Sequence, residues 1–171
     1  MAKLFIQELP TKEEIHQSAA ELLPNADAGI LFSNLLFMKV ATELDNHFDN
    51  VLSNYSLSSG RFTLLYMLNN APQGMVPSEL ANKAGVTQAT ISGLLNNMEK
   101  AGLLARHAHE KDGRSYVIKL TEKGLATLKE ILPLWYPRVS NFWGQFSETE
   151  REGLNAILKR MIQNTEVLAE K

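Results

Sequence analysis

Gln88, Ser92, Asn96 and Asn97 recur at helical spacing, with only the small residues Ala89 and Gly93 beside them. Side chains of this kind pair with nucleic acid: amides with adenine edges, hydroxyls with phosphates or either base type. At about 100° per residue, Ala89, Ser92, Gly93, Asn96, Asn97 and Lys100 fall on one side, and Ile91, Leu94, Leu95 and Met98 on the other. The outer side has neither the Glu/Lys pairs of an ordinary solvated helix nor an apolar patch. Its small residues let a backbone come close to a surface. The bland alternative is a polar face that meets only water.

Two short helices are needed to hold such a face. Pro77 suits a first helical position, where its missing N–H would be unpaired anyway, and Gly85 stands where a left-handed cap is required. Thr87 offers its hydroxyl to the free N–H groups of the next helix, and Gly102 closes that helix. Two helices joined by a short glycine-containing turn are the helix-turn-helix pattern. Leu80, Ala84, Val86, Ile91 and Leu94 are apolar where the two must meet, and Ala81 is small where they pack closest. After Gly102 the period becomes alternating: Leu104–His109 and Arg114–Leu120 flank Glu110-Lys111-Asp112-Gly113. Asp-Gly between alternating runs predicts a hairpin, with Arg106, His107, His109, Lys111, Arg114 and Lys119 outward. A helix-turn-helix followed at once by a two-stranded ribbon is a winged helix.

Here the chain resembles the MarR family of bacterial transcription regulators. The residues that carry the resemblance are Ser78-Glu79-Leu80-Ala81, Thr87 with Thr90-Ile91-Ser92, and Leu94 with Met98-Glu99-Lys100-Ala101-Gly102-Leu103-Leu104 and Arg106. Asp112 with Arg114 and Leu120-Thr121-Glu122-Lys123-Gly124 continue it, so the detailed likeness spans roughly residues 57–125. The resemblance implies a sequence-specific DNA-binding regulator, usually a repressor. Thr87 would then sit near a phosphate, while Gln88, Ala89, Thr90, Ser92, Gly93, Asn96 and Asn97 approach the major groove. Arg106, Lys111 and Arg114 would reach backbone or minor groove, with Asp112 orienting Arg114. Members often carry an arginine near the middle of the recognition helix, and Gly93 occupies that place here. A winged-helix scaffold that binds protein rather than DNA is the alternative reading.

Charge is divided along the chain in the same sense. The net −2 resolves into −5 over residues 1–60, +3 over 61–124 and 0 over 125–171. The basic excess lies on the segment expected to meet phosphate. Hydrophobic residues at 44% and charged residues at 21% of 171 positions are globular values that suit one compact domain. The absence of cysteine excludes disulfides and thiolate metal sites. Neither a signal peptide nor a membrane-spanning run is present, so a cytoplasmic protein is the expectation.

Capping boxes at Thr11–Glu14 and Ser147–Glu150 start a short first helix and the last one. Asp27 caps a wide apolar helix to about Leu52, Ser58 caps one through Asn69, and Thr121 caps a long run that Pro133 and Pro137 should kink or break. The expected fold is mainly α with a small β-hairpin wing. The DNA-binding lobe would be 57–121, and the helices of 1–56 and 122–171 would form a dimerisation region. A two-fold homodimer would set two recognition helices about one DNA turn apart and so demand a palindromic operator.

The resemblance also implies a small aromatic or lipophilic effector. Phe32, Leu36, Lys39, Arg61, Phe62 and Leu65 are the candidates for its pocket, between the first long helix, the Ser58–Asn69 helix and the start of the post-wing helix. Lys39 and Arg61 are the basic residues there that could pair an aromatic acid, a local contact of Arg61 being the alternative. His107-x-His109 with Glu110 has the look of a metal site, but phosphate contact is the commoner use of histidine on a basic wing. No metal, cofactor or enzymatic activity is expected.

Overall fold

Capping chemistry sets where each helix starts. The structure, a computed structural model, describes residues 8–23, 25–109 and 112–169, with the side chains of 19–22, 109 and 112–115 outside the description. At the head of α1 (Lys12–Leu22), Glu14 N–H donates to Thr11 Oγ1 at 3.1 Å and Thr11 N–H donates to Glu14 Oε2 at 2.8 Å. Asp27 Oδ1 accepts from Gly29 and Ile30 N–H at 2.7 and 3.3 Å, opening α2 (Ala28–Ser53). The third helix, α3 (Ser59–Asn69), differs from expectation. Ser58 occupies the cap position without a capping bond, and Asp49 Oδ1 of α2 accepts Ser59 N–H at 2.9 Å instead. A carboxylate at a helix N-terminus also meets the positive end of the dipole, so this cap fastens α3 to α2.

The next elements are α4 (Pro77–Ala84), α5 (Gln88–Lys100), the antiparallel pair β1 (Leu104–His109) and β2 (Asp112–Leu120), α6 (Glu122–Trp143), α7 (Glu148–Asn164) and a short 3₁₀ helix (Thr165–Ala169). Contacts divide the chain into Met1–Leu125 and Ala126–Lys171, the division falling inside α6. In the first unit, Leu52, Leu65, Leu80, Ile91, Leu95 and Ile118 are fully enclosed, and the Phe48 and Phe62 rings meet nearly perpendicular with centroids 4.9 Å apart. Met75 and Ile118 exchange backbone bonds of 3.1 and 2.9 Å, which adds a one-residue third strand beside β2.

The wing is the antiparallel hairpin expected, with β2 starting at Asp112 rather than at Arg114. His109 pairs with Asp112, so Asp112 and Gly113 belong to the strand and not to the connection. The register shifts between Ala108 and His109. The face that Arg106 occupies is fixed by the pairing. Directly paired strand residues share a face, and Arg106 pairs with Ile118 while Leu104 pairs with Leu120. Arg106 therefore projects from the face that also carries buried Leu104 and Ile118, opposite to His107. Arg106 is exposed as expected, and so is His107 on the other face of the ribbon. Glu110 and Lys111 lie outside the described residues.

In the second unit, α6 continues through both Pro133 and Pro137. The prolines are spaced by one helical repeat and both are exposed, so the ladder bonds they delete fall on one solvent-facing side. Ring contacts among Phe142, Trp143 and Phe146, with centroids 5.1 to 5.9 Å apart, gather the turn into α7. Arg151 Nη1 holds that turn by donating to the carbonyls of Trp143 and Phe146 at 3.2 and 2.6 Å. Ser147 and Glu150 form the expected capping box. None of the residues of α7 is buried, and Leu154, Ile157, Met161 and Ile162 stand exposed.

Candidate nucleic-acid interface

The turn before α5 is built by backbone geometry that only a few residues accept. Gly85 adopts φ 64° and ψ 33°, and Val86 N–H donates to the Ala81 carbonyl at 3.1 Å to close α4. Val86 thereby comes to the outside of the turn and is exposed, not part of the core. Thr87 is the N-cap of α5: its Oγ1 accepts Thr90 N–H at 3.2 Å and lies 3.0 Å from the Thr90 hydroxyl. Ile91, Leu95 and Met98 are buried and Leu94 is half-buried. Thr87, Gln88, Ala89, Thr90, Ser92, Gly93, Asn96 and Asn97 are all exposed. The outer face of α5 is thus exposed, rich in amides and hydroxyls, and low in profile.

The C-terminal end of α5 is fastened by the first turn of α6. Lys123 Nζ donates to the Ala101 carbonyl at 2.8 Å, Thr121 Oγ1 to that of Gly102 at 2.7 Å, and Thr121 N–H to that of Leu103 at 3.2 Å. Thr121 Oγ1 also accepts Gly124 N–H at 3.0 Å, which makes it the cap of α6 as expected. Gly102, at φ 73°, is left-handed there. A Cβ on Gly124 would run into the Leu103 carbonyl oxygen, so the close approach of α6 to this segment requires a glycine.

Arg106 joins the wing to the recognition helix. Its Nη1 lies 3.0 Å from Glu99 Oε2, its Nη2 donates to Asn96 Oδ1 at 2.6 Å, and its guanidinium carbon stands 5.1 Å from the Tyr116 ring centroid. Glu99 and Tyr116 were not singled out from the sequence. The parity of Arg106 against His107 was the available signal, because it turns the arginine toward α5. His107 is exposed on the opposite face. Lys111 lies outside the described residues, as do the side chains of His109, Asp112 and Arg114, and with them the expected Asp112–Arg114 contact and the histidine pair.

The six effector candidates have the following surroundings among the described residues. Leu65 is fully enclosed, and Phe62 lies between Phe48 and Tyr66. Arg61 donates to the Ser56 carbonyl at 3.1 Å, Lys39 lies 2.7 Å from Glu43, and Lys12 stands 5.6 Å over the Phe32 ring. Leu36 is exposed. That hydrogen bond from Lys39 holds the Glu43 carboxyl below the ordinary glutamate range. An open cleft of about 290 Å³ forms nearby, lined by the end of α3, Pro72, Lys119 to Glu122 and Leu125, and by none of the six. Among the described residues, no helix is long and apolar enough to cross a membrane.

A helix-turn-helix with an exposed second helix and an antiparallel ribbon behind it defines a winged helix-turn-helix protein. The chain belongs to the MarR family. The family pattern matches residues 55–115. The Bacillus subtilis HTH-type transcriptional repressor YetL is 31% identical over 86% of this chain and 88% of its own length. The HTH-type transcriptional regulator PecS of Dickeya dadantii is 32% identical over 72% of this chain and 75% of its own. Among solved structures, S. aureus MepR in its DNA-binding conformation superimposes with a TM-score of 0.67 at 25% identity, covering 78% of this chain and 98% of that one.

Proposed function

We propose that this protein is a sequence-specific DNA-binding transcription regulator that acts as a ligand-responsive repressor. The observation that carries the reading is the exposed face of α5, where Gln88, Ala89, Ser92, Gly93, Asn96 and Asn97 lie above a buried apolar stripe. Uncharged amides and hydroxyls beside small residues suit a major groove better than a protein partner's apolar pocket. Two relatives named as a repressor and a regulator, and a structural neighbour in a DNA-binding conformation, support the same reading.

The active species is a homodimer on a palindromic operator. The apolar stripe of α7, exposed in the single chain, needs a partner, and the helices of 1–56 and 122–171 supply the dimer region around the lobe 57–121. Lys111 and Arg114 carry the wing's charge to the phosphate backbone. An aromatic carboxylate acts as effector if it favours the spacing of recognition helices that does not fit DNA.

Selection of bound duplexes from a random-sequence library, followed by anisotropy titrations across a salt series, tests the central claim. A palindromic motif whose affinity falls steeply with salt is expected. Recovery of no DNA would assign the chain to the protein-binding scaffolds. Titration of salicylate with and without the selected duplex tests the effector, because DNA must weaken the ligand by the factor the ligand weakens DNA.

A further inference from the structure

We propose that Arg106 is a positioning residue that fixes the side-chain amide of Asn96 as a hydrogen-bond donor, so that Asn96 reads a purine N7 in the major groove. The inference rests on the DNA-binding reading above and specifies what one position of that site recognises.

An arginine has five N–H donors and no acceptor, and an amide nitrogen accepts nothing. The atom of Asn96 that lies 2.6 Å from Arg106 Nη2 must therefore be the carbonyl oxygen, and the amide flip is settled by chemistry. The guanidinium cannot turn away freely, because it is held on three sides. Glu99 Oε2 takes Nη1 at 3.0 Å, the Tyr116 ring lies under the plane, and Asn96 takes Nη2. Asn96 and Glu99 are one turn apart on α5, so the rigid fork of the arginine spans both.

With its oxygen held by a charged donor, Asn96 presents two N–H groups from an exposed position. In the major groove both purines offer an N7 acceptor, guanine adds O6 and thymine offers O4, whereas cytosine offers only its N4 donor group. A clamped donor thus opposes cytosine, and replacing N7 separates a purine contact from one to thymine O4. Asn96 supplies the base contact, and Arg106, with its charge neutralised by Glu99, contributes orientation rather than phosphate affinity.

The test compares duplexes selected from a random library by the wild-type protein, by Asn96→Asp and by Arg106→Met, each checked for helical content and oligomeric state. The position whose preference Asn96→Asp erases is then filled with a 7-deazapurine. Wild-type binding should fall about fivefold or more, as a lost base contact requires, while Asn96→Asp should not respond. Arg106→Met should keep the rest of the motif, relax discrimination against cytosine at that position and lose most of the 7-deaza effect. Uniform weakening on all sequences by Arg106→Met would make the arginine a phosphate contact and overturn the proposal. If Arg106→Met does not fold, the Asn96→Asp and 7-deaza arms decide, and an unchanged motif or an absent N7 effect overturns it. Failure of the wild type to select any motif would sink the DNA-binding reading itself, which separates the two outcomes.

Discussion

Gly93→Ala should make the protein more stable and a poorer DNA binder at once. A Cβ built at Gly93 meets no heavy atom within 4 Å, and the residue is not among those with positive φ. Inside a helix, alanine exceeds glycine by about 0.5–1 kcal/mol, through lower backbone entropy in the unfolded chain. The same methyl group rises from the face that is to seat against the groove. An added carbon in a close-packed contact costs about 1–3 kcal/mol, which corresponds to roughly a five- to hundredfold loss of affinity. Urea unfolding followed by circular dichroism reads the first effect, and anisotropy with the selected duplex reads the second. A more stable variant that binds DNA as the wild type does would refute the placement of this face against DNA. A less stable variant would refute the claim that the space beside Gly93 is open.

Gly124→Ala should have the opposite sign, losing about 1–3 kcal/mol, because its Cβ would overlap the Leu103 carbonyl oxygen and reach 3.1 Å from Leu120 Cδ2. Gly153→Ala in α7, with nothing within 4 Å, serves as the control and should gain about 0.5–1 kcal/mol; midpoints that move together would contradict the packing argument. Ser147→Ala should lower the thermal midpoint at neutral pH, and the gap to wild type should narrow in acid. The Ser147 hydroxyl and N–H hold the Glu150 carboxyl below the ordinary glutamate range. A depressed folded-state value stabilises the fold above the unfolded value, and that contribution is lost as pH falls through the folded one. A gap that stays constant from neutral to strongly acidic pH would exclude the carboxylate from this cap.

Features decided within one helical turn were legible in the sequence. The boxes at Thr11–Glu14 and Ser147–Glu150, the Asp27 and Thr87 caps and the left-handed Gly85 follow from side chains that reach only their own backbone. The buried and exposed sides of α5 were equally readable, since helical period and apolar stripe agree. Legibility ended where a distant residue or a competing geometry decided. Asp49 replaced Ser58 as the cap of α3, and nothing local to Ser58 signals that. Asp112-Gly113 carries the composition of a connection between strands, yet β2 already begins at Asp112. Pro133 and Pro137 lie in an unbroken helix because their deleted bonds share an exposed side. The local partners of Arg61, Lys39 and Phe32 were likewise not readable, since Ser56, Glu43 and Lys12 reach them only through side-chain geometry.

The fastening of the three carbonyls of Ala101, Gly102 and Leu103 by Thr121 and Lys123 sets the smallest segment that can be exchanged between relatives. A graft that carried only Gln88–Lys100 into another winged helix would arrive without the hydroxyl, the ammonium group and the glycine that close it. It would also leave behind Arg106, which holds Asn96 and Glu99, and Tyr116, which packs against that arginine. The transferable cassette therefore runs from Thr87 to Gly124, with the wing and the first turn of α6 included.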